Sequence, residues 1–212
     1  MMRFTTMKTK LRKYPSIFLI LLLAISSCFL TGCVNQHPKD SKKSSQGESV
    51  ETMLEITDPK EKQAVLNAKA KVKALSGNPR IVATSPAVAD ICDKLDLDLV
   101  GVPKSSVSKI PSRYKKVKKV GLAMSPDMEI VSSLNPDWIL APSSLETDLK
   151  PKFEELKNTE YAFLNLRSVQ GMYRSVQELG EIFGKQQEAE KMTKEFTTFY
   201  KSYTKRNKNK KH

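Results

Sequence analysis

Residues suited to catalysis are scarce in this chain. Its 212 residues include two histidines, His37 and His212, and three cysteines, Cys28, Cys33 and Cys92. His37 lies in a polar stretch and His212 is the final residue. A Ser-His-Asp triad, a histidine general base and the usual zinc site therefore lack an imidazole. No P-loop, G-x-G-x-x-G or G-x-S-x-G motif occurs. The acid pairs Asp93/Asp96 and Glu154/Glu155 have the spacing of a solvated helix face. Cys92 falls in an apolar helical pattern, where a thiol is normally buried and inert. These residues describe a chain that is not an enzyme, and ligand capture is the function they leave open.

The net charge of +13 is concentrated at the ends. Residues 1–14 hold five basic groups and residues 201–212 hold six, with no acid in either stretch. The intervening body has 25 basic and 23 acidic residues, so it lacks the basic face a nucleic-acid partner requires. The basic start, Arg3 to Lys13, precedes the apolar run Ile17–Ile25 and then Leu30-Thr31-Gly32-Cys33. The run is short for a membrane span, which needs roughly 20 apolar residues. In this order the three features predict a leader over residues 1–32 and resemble a bacterial lipobox, which implies acylation of Cys33. A lipoprotein cysteine carries at least a diacylglycerol, and more than one acyl chain anchors firmly. Residues 33–56 are polar and cannot build a core, so they predict a flexible tether from the extracellular face of the cell membrane.

From residue 57 onward, strand and helix signals alternate. Asp58-Pro59 opens a helix, with Glu61 placed to close a capping box. Ile81–Thr84, Leu99–Val102, Trp138–Ala141 and Tyr161–Leu166 read as buried strands. Helices are expected after Pro86, after Ser125-Pro126-Asp127, around 148–158, over 169–183 and over 188–203. Alternation of this kind predicts an α/β fold with a short parallel sheet covered on both faces. The expected organisation is an α/β lobe over 57–185, followed by a long helix and basic tail over 186–212.

Arg80–Thr84, the helix Val88–Leu95 and Leu99–Pro103 resemble the opening of the metal-chelate substrate-binding lipoproteins of ABC importers. Pro111–Lys115, Val120–Asp127, Ser133–Pro136 and the helix after Arg167 narrow the resemblance to the haem receptors among them. The resemblance implies a Rossmann-like lobe joined by a long backbone helix to a second lobe, with the ligand between lobes. It implies haem as the ligand and Met124 as one axial ligand to its iron. It places other haem contacts at Pro86 and Ala87, after the first strand, and at Ser105 and Ser106, after the second. Ser106 stands where such receptors carry a tyrosine. Lys104, Lys109, Arg113 and Lys115 are further candidates for haem propionates. Glu129 matches the acid that docks the permease, and donor surface proteins upstream are implied as partners. A siderophore or other metal chelate is the alternative ligand; a tethered interaction module is the alternative class. On this resemblance the chain is expected to lack the second lobe, leaving Phe199, Tyr200 and Tyr203 exposed.

Overall fold

The computed structural model describes Arg3–Phe4 and residues 54–208. Cys33 and most of the expected leader and tether lie outside these residues. The sheet has the order β1-β8-β7-β2-β3-β4. Its strands are β1 (Arg3–Phe4), β2 (Ile81–Ala83), β3 (Leu99–Val102), β4 (Lys118–Lys119), β7 (Trp138–Pro142) and β8 (Glu160–Leu164). All neighbours pair in parallel except β1, which runs antiparallel along the edge of β8. β1 falls in the basic start assigned to the leader, so processing at Cys33 would remove it. A separate hairpin joins β5 (Gly121–Leu122) to β6 (Ser125–Pro126).

Side chains alternate between two apolar layers, as a sheet buried on both faces requires. Ile81, Ala83, Trp138, Leu140, Ala162 and Leu164 enter one layer. That layer also takes residues of α1 (Pro59–Lys73), α2 (Pro86–Lys94), α5 (Val169–Phe183) and α6 (Gln186–Lys208). Val82, Ile139, Ala141, Tyr161 and Phe163 enter the other layer, against α3 (Met128–Ser133) and α4 (Glu146–Glu154). There Phe153 of α4 lies 5.9 Å from Tyr161 and 5.8 Å from Phe163, ring centre to ring centre. The expected α/β lobe with a long final helix is therefore the observed fold.

Three local expectations change. Asp58 does cap α1, accepting from the Lys60 amide at 2.8 Å. Glu61 does not close a capping box; it turns inward and accepts from Arg174 Nη2 at 2.7 Å. It lies on the α1 face that packs on α5, so burial beside a guanidinium takes its carboxylate from the cap. The helix expected at Ser125 begins later, with Asp127 as its N-cap, because Ser125–Pro126 are taken up by β6. The body also starts before residue 57: Leu54 is buried and Ile56 packs on the core. Two apolar residues in a polar run were too weak a pattern to place that boundary.

α5 and α6 meet at a tight corner. Gly184 ends α5 in the left-handed conformation, at φ 71°. A side chain on Gly180 would come within 2.6 Å of the Ala189 Cβ, so this glycine lets the two helices approach closely.

Candidate ligand edge of the sheet

Parallel strands bring their C-terminal ends to one edge. Loops leaving that edge form the usual ligand site of an open α/β sheet, next to the point where strand order reverses. Here the chain moves outward from β2 to β3 and β4, then returns to β7 and β8. The reversal lies between β2 and β7.

Five strands end at this edge, and four of the segments that leave them carry the residues of interest. After β2, Ser85 caps α2 by accepting from the Val88 amide at 3.3 Å. This presents Pro86 and the exposed Ala87 in the first turn of the helix. After β3, Ser105 and the exposed Ser106 follow Lys104. The Ser105 hydroxyl accepts from the Ser108 amide at 3.0 Å, which folds the loop on itself. After β4 comes the β5–β6 hairpin, with Ala123 and Met124 at its tip. After β8, Asn165 accepts from the amide of the exposed Arg167 at 3.2 Å.

Two contacts hold the hairpin in place. The Lys104 amide donates to the Gly121 carbonyl at 2.6 Å, tying the Ser105 loop to it. The Asp127 amide donates to the Val120 carbonyl at 2.8 Å, closing its base. Gly121 has φ 94°, and a Cβ there would stand 2.9 Å from the Asp127 nitrogen. Only glycine fits this turn without strain. Met124 is consequently held away from the core, 73% exposed. Leu122 on the same hairpin is 59% exposed, and Val107 in the adjoining loop is 96% exposed.

Pro86, Ala87, Ser105, Ser106 and Met124 thus share the edge that the resemblance implies. Met124 sits at a hairpin tip instead of directly before a helix. Glu129 is exposed in the first turn of α3, beyond the hairpin. Arg113 is engaged in an ion network. It binds Asp96 and Asp98, at 2.8 Å each, and lies 3.8 Å from Asp93. Lys185 adds a bond to Asp96 at 2.8 Å, and Lys185 and Arg113 together hold that carboxyl below its ordinary range. Three aspartates close in sequence supplied that pairing. Asp93 and Asp96 accordingly serve an ion network and not simply a solvated face.

Lys104, Lys109 and Lys115 are exposed, as is Arg167, which the sequence reading did not single out for the site. Leu122 and Val107 were also missed, because an apolar residue in a short run reads as core. Cys92 is fully buried, and burial pushes its thiol up to about 12, well away from redox chemistry. Among the described residues no cluster of His, Cys, Asp and Glu could hold a metal ion, and no helix is long and apolar enough to cross a membrane.

Comparison with known proteins agrees with this geometry. Residues 81–212 match the periplasmic binding protein family model. The chain is 36% identical over 117 residues to the high-affinity heme uptake system protein IsdE of Staphylococcus aureus strain Newman, covering 55% of this chain and 39% of that protein. A solved ABC transporter substrate-binding protein from Listeria monocytogenes EGD-e is 44% identical, with a TM-score of 0.55 over 57% of this chain and 46% of the other. The structure of S. aureus IsdE complexed with heme is 34% identical, with a TM-score of 0.54 over 63% of this chain and 50% of the other. The chain therefore spans half or less of the length of these relatives. Binding proteins of this kind do no catalysis, in line with the non-catalytic residue set. The match over residues 81–212, more than half of the chain, shows that it belongs to the periplasmic binding protein family.

Proposed function

We propose that this chain is the haem-binding lobe of a lipid-anchored substrate-binding component of an ABC importer. One observation carries the reading. A soft thioether, Met124, is held 73% exposed at the tip of a fixed hairpin on the ligand edge. Haem iron has axial positions open to such a donor. Iron in a siderophore is already wrapped by hard oxygen donors and offers a thioether no place. Exposed Leu122 and Val107 supply apolar surface for a porphyrin face, and Lys104, Lys109 and Arg167 supply cations for its propionates. The helix start at Pro86 and Ala87 adds backbone amides, and Ser105 and Ser106 add hydroxyls.

Titrating the full chain with haem tests this directly. A saturable shift of the Soret band is the expected result. No saturable shift, together with quenching of Trp138 fluorescence by a ferric siderophore, would replace haem with the siderophore reading.

Anchoring and docking complete the proposal. Cys33 carries the lipid and the lobe works at the extracellular face of the cell membrane, taking haem from surface donors. Glu129 offers a carboxylate to an arginine of the permease. In a bacterial host the mature chain is expected to begin at Cys33 and to fractionate with membranes. Cys33→Ala should leave unprocessed precursor. Recovery of a soluble mature chain starting elsewhere would exclude the anchor.

A further inference from the structure

The seam between α1 and α5 buries two carboxyl groups against one guanidinium. The Glu61 side chain is 3% exposed and Glu178 is wholly buried. Arg174 satisfies one oxygen of Glu61 through its Nη2. Glu61 Oε1, both oxygens of Glu178 and Arg174 Nε have no hydrogen-bond partner. If both acids were ionised, three carboxylate oxygens would lie dry and without a donor. A buried polar atom left in that state is costly, and more so when it is charged.

One proton removes most of that deficit. A protonated Glu178 becomes a donor, and the vacant oxygen of Glu61 becomes its acceptor. The remaining charges, Glu61 and Arg174, then cancel. We propose that Glu178 keeps its proton at neutral pH and shares it with Glu61, so that one bound proton latches α1 onto the lobe.

The surroundings support this. Burial, followed by the adjacent Glu61 carboxylate, pushes the Glu178 carboxyl up to about 8. The Arg174 guanidinium pulls it the other way. Further along the seam Lys69 of α1 pairs with Glu181 of α5 and holds that carboxyl below its ordinary range. Glu181 therefore stays ionised across the window in which Glu178 titrates. α1 is the first described helix after the expected tether, so the latch stands between tether and lobe.

The sign follows from the raised value. In the undocked chain Glu178 ionises near its ordinary pKa of 4.5, whereas docked it keeps its proton to about 8. Docking therefore takes up one proton between these limits. It is strongest at the acid end, weakens as pH rises towards 8, and is flat above that. Between pH 6 and 7.5 the opening of α1 should increase by about tenfold per pH unit.

Two measurements on the full chain test the latch. Infrared spectroscopy should find a protonated-carboxyl band at pH 7 that titrates near 8 and is missing from Glu178→Gln. Hydrogen exchange, corrected for intrinsic rates, should show α1 protection falling with pH in the parent chain and independent of pH in Glu178→Gln. Glu61→Gln frees Glu178 to ionise against Arg174, so the band should vanish at pH 7 there as well. An absent band in the parent chain at pH 7, or unchanged pH dependence of α1 protection in Glu178→Gln, would overturn the proposal.

Discussion

Replacing Met124 by alanine should remove the proposed axial thioether, shift the Soret and charge-transfer bands, and weaken haem binding by at least tenfold. Tenfold corresponds to about 1.4 kcal/mol, a modest demand on one coordinate bond. The lobe should be unaffected, because Met124 is 73% exposed at a hairpin tip and leaves no cavity when truncated. Thermal melting of Met124→Ala should therefore overlay that of the parent. This separates the ligand role from a structural one. Met124→His provides the converse check: a nitrogen donor should restore affinity and give a distinct spectrum with a lower iron potential. Spectra and affinity indifferent to both changes would remove Met124 from the site.

Truncating Phe153 to alanine should have the largest effect on stability. The ring is fully buried and is flanked by Tyr161 and Phe163, with α4 and the β7–β8 side of the sheet meeting around it. Large-to-small changes of this kind cost about 3–5 kcal/mol, combining lost transfer energy with the cavity left behind. Set against a total stability of about 5–15 kcal/mol, that is a large share. The melting temperature should fall by about 10 °C in a lobe of this size. Leu66→Ala, on a side chain already 53% exposed, should change stability by less than about 0.5 kcal/mol and serves as the control. A drop for Phe153→Ala no larger than the control's would mean that this aromatic layer does not hold α4 to the sheet.

Elements with strong periodicity were legible in the sequence. β2, β3, β7 and β8 are apolar runs bounded by breakers, and α5 spans the expected 169–183. Phe199 and Tyr203, expected to be bare, are 62% and 51% exposed. Tyr200 is only half-buried, because it leans on Phe196, which itself stacks on Tyr173 of α5 at 4.5 Å. That contact depends on how two helices cross, and no single-helix pattern contains it. β4 was not seen because Lys118 and Lys119 have no strand character of their own; pairing with β3 makes them one. The hairpin was hidden for a similar reason. Pro126-Asp127 carries a true helix-start signal, but the positive φ of Gly121 and the bond from Lys104 draw Ser125–Pro126 back into a strand first. Of the candidate site, the resemblance supplied Met124 and the two loops. The chemistry of the residues alone supplied neither, since a methionine or a serine in a loop is unremarkable without its neighbours. Glu178 escaped for the opposite reason: a glutamate inside an amphipathic helix reads as a solvated residue until the helix facing it is known.

The glycine corner between α5 and α6 has a mechanical consequence. Gly180 and Ala189 touch so closely that the root of α6 is clamped, while Phe199 and Tyr203 further along are largely bare. A helix held more tightly at its root than along its later turns acts as a lever. From Ala189 to Tyr203 its arm is roughly 21 Å at the α-helical rise, so a 5° swing at the root moves the tip by roughly 2 Å. Substituting Gly180 with a larger residue would tilt the arm at its clamp, and the displacement would be read out at the far end, where the aromatic side chains are.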